Sequence, residues 1–299
     1  MKNTSKTLIF FGNERLVSGL EQTDAPTLRA LIAAGYHIAA VISHHSDGRS
    51  RSNRKLEVAE IAATHNIPVF LPNRPSEIIE TLRGFGAEAA VLAAYGRIIP
   101  QSIIDLFPKG IINIHPSLLP KYRGPTPIES AILNGDSETG ISIMQLTAGM
   151  DEGPVFAQAK IPLNGNETKF ELYKNLAPLG AETLIRTLPS ILDGSLKPAP
   201  QDNKAATYCS LLSKKDGILN PGAHTAQEIE RMIRAYLGFP KTKLTIYGHP
   251  IVITKAHTST THHGALDIVC KNSTILTIDE LIAPSGRRMN AEAFLNGYK

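Results

Sequence analysis

Short, nearly continuous apolar runs alternate with amphipathic stretches through the first two-thirds of the chain. Residues 7–11, 37–42, 68–71 and 87–93 read as strands, being short, largely apolar and closed by Gly or polar turns. Between them, residues at about 24–34, 56–65 and 76–85 have helical spacing, and Thr23-Asp24-Ala25-Pro26 offers an N-cap and an early-helix proline. Alternation of this kind predicts a Rossmann-like, doubly wound α/β sheet with right-handed crossovers. A central strand follows Gly110 and leads into a loop at 113–124. Thr126-Pro127-Ile128-Glu129 then reads as a capping box and Gly135 as the helix stop. Residues 140–146 and 155–163 read as a strand and its return, so 147–154 connects them. A second capping box, Thr168-Lys-Phe-Glu171, opens helical segments that Pro178 is expected to interrupt and that run to about Leu192.

The pattern then changes. Residues 193–207, rich in Gly, Pro, Lys and Ala, read as a linker between a domain at 1–192 and one at 208–299. The second domain carries a helical stretch at 225–237 and β-like runs at 243–247, 251–256, 266–270 and 274–280. Several short strands at close spacing predict a small β-barrel, of which the OB-like type is one basic-surfaced example.

Composition narrows the class. No apolar run approaches the roughly 20 residues that a membrane helix needs, and Met-Lys-Asn-Thr-Ser-Lys opens no signal-peptide pattern, so a cytoplasmic protein with no membrane partner is expected. Cys209 and Cys270 have no metal-ligand spacing and read as ordinary thiols. The first strand is followed by Gly12-Asn-Glu-Arg-Leu-Val-Ser-Gly19 instead of Gly-x-Gly-x-x-Gly, which argues against a nicotinamide or flavin dinucleotide. Net charge is +4, and its location matters more than its size. Residues 205–299 hold 11 Lys+Arg against 7 Asp+Glu, whereas the remainder is balanced at 20 of each. A basic appendage on a neutral body fits a nucleic-acid-binding module. A second basic feature, Arg49, Arg51, Arg54 and Lys55, lies in a Ser- and Asn-rich loop and reads either as a solvated surface or as a phosphate-contacting finger.

Candidate chemistry concentrates between residues 111 and 151. Asn113 and His115 lie two apart on an extended segment and so share a face, and Asp151 arrives from a separate loop. A neutral amide can polarise a carbonyl, an imidazole can shuttle a proton near neutral pH, and a carboxylate can orient it. Each residue alone has an ordinary turn or loop reading. Together they form a set suited to acyl transfer.

The full wording is Asn113-Ile-His115-Pro-Ser117-Leu118-Leu119-Pro120-Lys-Tyr-Arg123-Gly124-Pro. Gly140-Ile-Ser-Ile-Met and Gly149-Met-Asp151-Glu-Gly153-Pro follow it. It resembles the signature of the 10-formyltetrahydrofolate-dependent formyltransferases. That resemblance implies Asn113, His115 and Asp151 as catalytic residues. It also implies folate contacts from Ser117, Leu118, Leu119 and Pro120, with Tyr95, Gly96 and Arg97 turning the chain at the same sheet edge. Farther on, Pro200-Gln201-Asp202, Ala206-Thr207-Tyr208, Lys215-Asp216-Gly217 and Ala283-Pro-Ser-Gly286-Arg287-Arg288-Met289 resemble the branch of the family that acts on methionyl-tRNA. In that branch the C-terminal domain is an OB-like tRNA-binding module. The implied reaction is formyl transfer from 10-formyltetrahydrofolate to the α-amine of methionine on initiator tRNA, by a monomer needing no metal, nicotinamide or flavin. Arg49, Arg51, Arg54, Lys55, Arg287 and Arg288 become the implied tRNA contacts. Gly12-Asn13-Glu14-Arg15 departs from the family's usual Gly-Thr-Pro. Three alternatives share the evidence: a formyltransferase for a sugar-nucleotide or glycinamide ribonucleotide amine, a formyl-folate hydrolase, and a catalytically silent RNA-binding protein.

Overall fold

The computed structural model describes residues 6–44, 56–261 and 264–299. The first unit is built on seven strands in the order β3-β2-β1-β4-β5-β6-β7. These are β1 (Thr7–Gly12), β2 (His37–Ile42), β3 (Val69–Phe70), β4 (Ala89–Ala93), β5 (Ile111–His115), β6 (Glu138–Gln145) and β7 (Val155–Pro162). The first five run parallel; β6 then pairs antiparallel with β5, and β7 with β6. Helices α1 (Pro26–Ala33), α2 (Glu57–Thr64), α3 (Ile79–Gly84), α4 (Gln101–Ile104), α5 (Pro127–Asn134) and α6 (Lys169–Asp193) complete it.

Burial on both faces is why the inner strands carry no polar alternation. Leu8, Phe10, Ile112 and Ile114 enter a core shared with Leu28 of α1, Ile128 of α5 and Leu172 and Leu184 of α6. Ile9, Phe11 and Ile111 enter the opposite core with Tyr95 and Ile103. Asn113 and His115 share the parity of Ile111, so they extend this second face at the carboxyl end of β5.

Three local expectations are corrected. Pro178 does not interrupt α6, a 25-residue helix with Pro178 and Pro189 inside it. The Thr168–Glu171 box and a left-handed Gly194 close its two ends, and buried Leu172, Leu176, Leu184 and Leu188 hold it on the sheet across the missing hydrogen bonds. Thr126 forms no capping box: its hydroxyl donates to the Ser210 carbonyl, and Glu129 is drawn into a buried pair with Lys169 at 3.4 Å. The start of α1 is not capped by Thr23 or Asp24. The amides of Thr27 and Leu28 instead donate to the Glu14 carboxylate at 2.8 Å each.

The second unit contains α7 (Ala226–Ala235), β8 (Thr242–Ile246), β9 (His249–Ser259), β10 (Asp267–Val269), β11 (Ile275–Ile282), β12 (Arg288–Asn290) and α8 (Ala291–Tyr298). Its antiparallel sheet has the order β10-β11-β9-β8 with β12 on β11, a curled sheet of the OB-like half-barrel kind. Register shifts between β9 and β11 around Glu280 supply the curl. Strand β12 and helix α8, which the sequence pattern did not separate, close this core with the fully buried Phe294. Between the units, residues 193–207 do not run free. Val155 and Ala199 exchange two backbone hydrogen bonds of 2.8 Å, and Arg123 and Thr207 share another of 2.9 Å. Among the described residues no helix is long and apolar enough to cross a membrane.

Glu14 yields a test of the first unit. It is 2% exposed, and burial pushes its carboxyl up from 4.5 to about 7 against the pull of the two helix amides. The folded chain therefore holds this proton, between pH 4.5 and about 7, when the unfolded chain has lost it. Stability is withdrawn as pH rises through that window. Glu14→Gln should flatten this part of the Tm-versus-pH curve; parallel curves for variant and wild type would contradict the assignment.

Candidate active site

Strand β5 presents Asn113 and His115 at its carboxyl end, 6% and 4% exposed. The antiparallel neighbour sets their surroundings, with Asn113 opposite Met144 and His115 opposite Ser142. His115 Nε2 lies 2.9 Å from the Tyr122 carbonyl oxygen. A carbonyl can only accept, so Nε2 carries the proton and Nδ1 is the ring atom left for chemistry. Facing Nδ1 at 3.6 Å is Asp151 Oδ2. A proton on Nδ1 turns this approach into an ion pair. The Asn113 amide makes no hydrogen bond to a described residue, which leaves its donor and acceptor to a ligand.

Asp151 reaches His115 because the β6–β7 connection folds back along the sheet. Its Oδ2 also accepts from the Gly124 amide at 2.8 Å. Tyr122 and Gly124 thus hold the imidazole and the carboxylate from one short stretch of backbone. Gly124 has φ 115, and a Cβ there would collide with the Cys209 carbonyl.

The Ser117–Pro120 loop is clamped from β6 and β7. Ser142 Oγ donates to the Ser117 carbonyl at 2.7 Å and accepts from the Leu119 amide at 3.0 Å and from Gln158 Nε2 at 2.9 Å. Those three bonds exhaust a hydroxyl's capacity. Gln158 Nε2 also donates to the Leu119 carbonyl at 2.8 Å. Sequence reasoning assigned no role to Ser142 or Gln158. A serine flanked by Ile141 and Ile143 inside a buried strand was the available signal.

Arg123 was likewise passed over. Its side chain is 1% exposed and is met by Gln201 Oε1 at 3.0 Å, Tyr208 Oη at 2.9 Å and Asn203 Oδ1 at 2.7 Å. At the neighbouring edge, Tyr95 packs edge-on to Phe11 in the core, and its buried hydroxyl has no partner among the described residues. The Gly96 turn follows it with φ 70, and Arg97 donates to the carbonyls of Pro72 and Asn73. Arg287 and Arg288 lie exposed on the second unit, Arg288 beside Glu280 at 3.4 Å. Arg49, Arg51, Arg54 and Lys55 lie outside the described residues. A cavity of about 790 Å³ between the two units is lined by Asp136, Arg231, Arg234 and Lys255, among others, and does not include Asn113, His115 or Asp151.

Comparison with known proteins places these residues in a family. A sequence model described as "Formyl transferase" matches residues 15–188, and one described as "Formyl transferase, C-terminal domain" matches residues 211–299. A protein of Pelobacter propionicus named methionyl-tRNA formyltransferase is 30% identical over 308 residues, covering 98% of this chain and 94% of its own length. One of the same name from Solibacter usitatus is 36% identical over 287 residues, covering 92% of each. Among solved structures, WlaRD, a sugar 3N-formyl transferase crystallised in the presence of dTDP and 5-N-formyl-THF, superposes with a TM-score of 0.67. Its identity is 21%, over 92% of this chain and 97% of that one, and the likeness shows a shared fold.

The Ser142 clamp is testable without substrate. Ser142→Ala leaves the buried Leu119 amide without its acceptor, which should cost about 1–3 kcal/mol in thermal or denaturant unfolding. Amide exchange at Leu119 should accelerate beyond what the global loss explains. Exchange at Leu119 that merely follows global stability would show that the clamp does not hold this loop.

Proposed function

We propose that this chain, which belongs to the formyl transferase family, moves a formyl group from 10-formyltetrahydrofolate to the α-amine of the methionine carried by initiator tRNA. The observation that carries this reading is that relatives named methionyl-tRNA formyltransferase match across both units, well beyond the sheet that holds Asn113 and His115. Residues 1–192 serve as the catalytic domain, 193–207 connect, and 208–299 hold the tRNA. The setting is the cytoplasm, and the chain acts as a monomer.

In this reading the formyl oxygen lies against the Asn113 amide, whose N–H donates to it. The methionine amine attacks the formyl carbon, and negative charge collects on that oxygen. Asn113 keeps its hydrogen bond throughout. The amine gives up a proton to His115 Nδ1, and the imidazolium so formed, paired with Asp151, donates a second hydrogen bond to that oxygen. The carbon–nitrogen bond to folate then breaks, and the departing folate nitrogen receives the proton. Asp151 keeps the imidazole oriented and stabilises its charge. Donor, base and carboxylate all come from the chain, so the steps as written call for no metal, nicotinamide or flavin. Ser117, Leu118, Leu119 and Pro120, held in place by Ser142, form one wall for the folate. The turn at Tyr95, Gly96 and Arg97 forms another, where the buried Tyr95 hydroxyl has no partner among the described residues. Arg287 and Arg288, with Arg49, Arg51, Arg54 and Lys55, contact tRNA phosphates.

The deciding assay offers 10-formyltetrahydrofolate with charged initiator tRNA, with an amino-sugar nucleotide, or with glycinamide ribonucleotide. Transfer to the tRNA is expected. Preference for a small amine, or formate release without an acceptor, would replace this reading with one of its rivals. Asn113→Ala should lower kcat by about 10²–10³-fold while tRNA binding persists. Acceptor affinity should fall linearly with salt on a double-logarithmic plot, as counterion release requires; a flat response would remove the phosphate contacts.

A further inference from the structure

Asp151 has φ 50, in the left-handed region that a non-glycine residue occupies at a cost and keeps only where its surroundings enforce it. Its carboxylate is held by the Gly124 amide. What holds its backbone comes from the connector between the two units. Gln201 Nε2 donates to the Asp151 carbonyl at 2.8 Å and to the Gly153 carbonyl at 2.7 Å. The same side chain accepts from Arg123 Nε through Oε1 at 3.0 Å. Arg123 precedes Gly124, so a closed ring of contacts runs from Asp151 Oδ2 to Gly124, through Arg123 to Gln201, and back to the Asp151 carbonyl.

We infer that Gln201 is a positioning residue for formyl transfer, fixing Asp151 at its approach to His115 from the backbone side; the inference rests on the reaction proposed above. Both ends of the amide are committed, donor to the catalytic loop and acceptor to a buried cation, so Gln201 has no freedom to shift without moving one of them. The 3.6 Å between Asp151 Oδ2 and His115 Nδ1 sits just outside a hydrogen bond and is sensitive to such shifts. Arg123 keeps Tyr208 and Asn203 as partners if Gln201 is lost, so the fold has other supports. Asp151 and Gly153 lose their shared donor. Because residues 199–209 lead straight into the second unit, the acceptor-binding half of the chain reaches the Asp151 backbone through this amide, next to the Tyr208 hydroxyl that donates to Glu152 at 3.4 Å.

Two variants separate positioning from packing. Gln201→Ala removes every contact. Gln201→Glu keeps an acceptor for Arg123, strengthened by charge, and replaces the donor to Asp151 and Gly153 by an oxygen that their carbonyls repel. Both should lower kcat by about ten- to a hundredfold, the scale of loss when a reacting group is displaced by about an ångström. KM for donor and acceptor should change little, and both variants should still unfold cooperatively. In the substrate-free protein, the ¹⁵N resonances of the His115 ring should shift in both variants. Unchanged kcat, a Gln201→Glu enzyme as active as wild type, or His115 resonances that stay in place would overturn the inference. A wild-type chain that transfers no formyl group to tRNA would defeat the functional reading instead, while the His115 resonances would still decide whether Gln201 positions Asp151.

Discussion

A fully buried guanidinium has to be met on every side by acceptors, and Arg123 is where this chain accepts that demand. Nothing on its own loop meets the requirement. Glu152 stands 3.9 Å away, and the hydrogen-bonding acceptors come from Gln201, Asn203 and Tyr208, so the connector has to return to the sheet edge before the second unit can begin. Backbone pairing follows the same path: the amides of Arg123 and Cys209 bond to the carbonyls of Thr207 and Arg123 at 2.9 Å each. With the connector in place, the Cys209 carbonyl packs where a side chain on residue 124 would stand, and only glycine fits there. Gly124 then offers its amide to Asp151. One charge demand thus propagates through the loop to the carboxylate that faces His115.

A second constraint acts from the sheet. Parallel strands alone would leave the carboxyl end of β5 beside another parallel strand and its crossover. Here β6 runs the other way, and its register sets Ser142 directly across from His115. That hydroxyl is fully buried between His115 and Gln158 and has to be satisfied, and the Ser117–Leu119 backbone and Gln158 do so. The loop beyond His115 is therefore shaped by the polar needs of a neighbouring strand. The path of that loop and the satisfaction of the buried hydroxyl rest on the same bonds.

The sequence showed as much of this as has a short-range cause. Asn113 and His115 share a face through the two-residue repeat of a strand, and the apolar runs announced the α/β layering. Asp151 was recognisable as part of a motif, but its route to His115 depends on the nine-residue connection between β6 and β7 folding back and on Gln201 holding it, neither of which has a local signature. A lone Arg123 between Tyr122 and Gly124 reads as a solvated loop residue; its burial follows only once residues 201–208 are in place. Two failures have the same origin. Thr126 and Glu129 have capping-box spacing, yet Lys169, forty residues on, competes for Glu129 and wins because both groups are buried. Pro178 has helix-breaking chemistry, yet the apolar stripe of α6 outweighs one missing hydrogen bond. Local preference decides where no long-range partner does, and at this site nearly every polar group has one.

That same competition fixes the second unit on the first. Lys169, buried beside Glu129, also donates to the Phe239 carbonyl at 2.7 Å, and Arg234 of α7 donates to the Glu167 carbonyl at 2.7 Å. A buried ammonium with a carboxylate on one side needs further acceptors on the other, and a carbonyl from the second unit supplies one. The units are therefore joined along two lines, the connector at Arg123 and the start of α6 at Lys169. A single seam would permit rotation about it, whereas two separated seams oppose that rotation. Lys169 takes one acceptor from each unit, and Arg123 takes its acceptors from the connector and from Tyr208 at the start of the second unit.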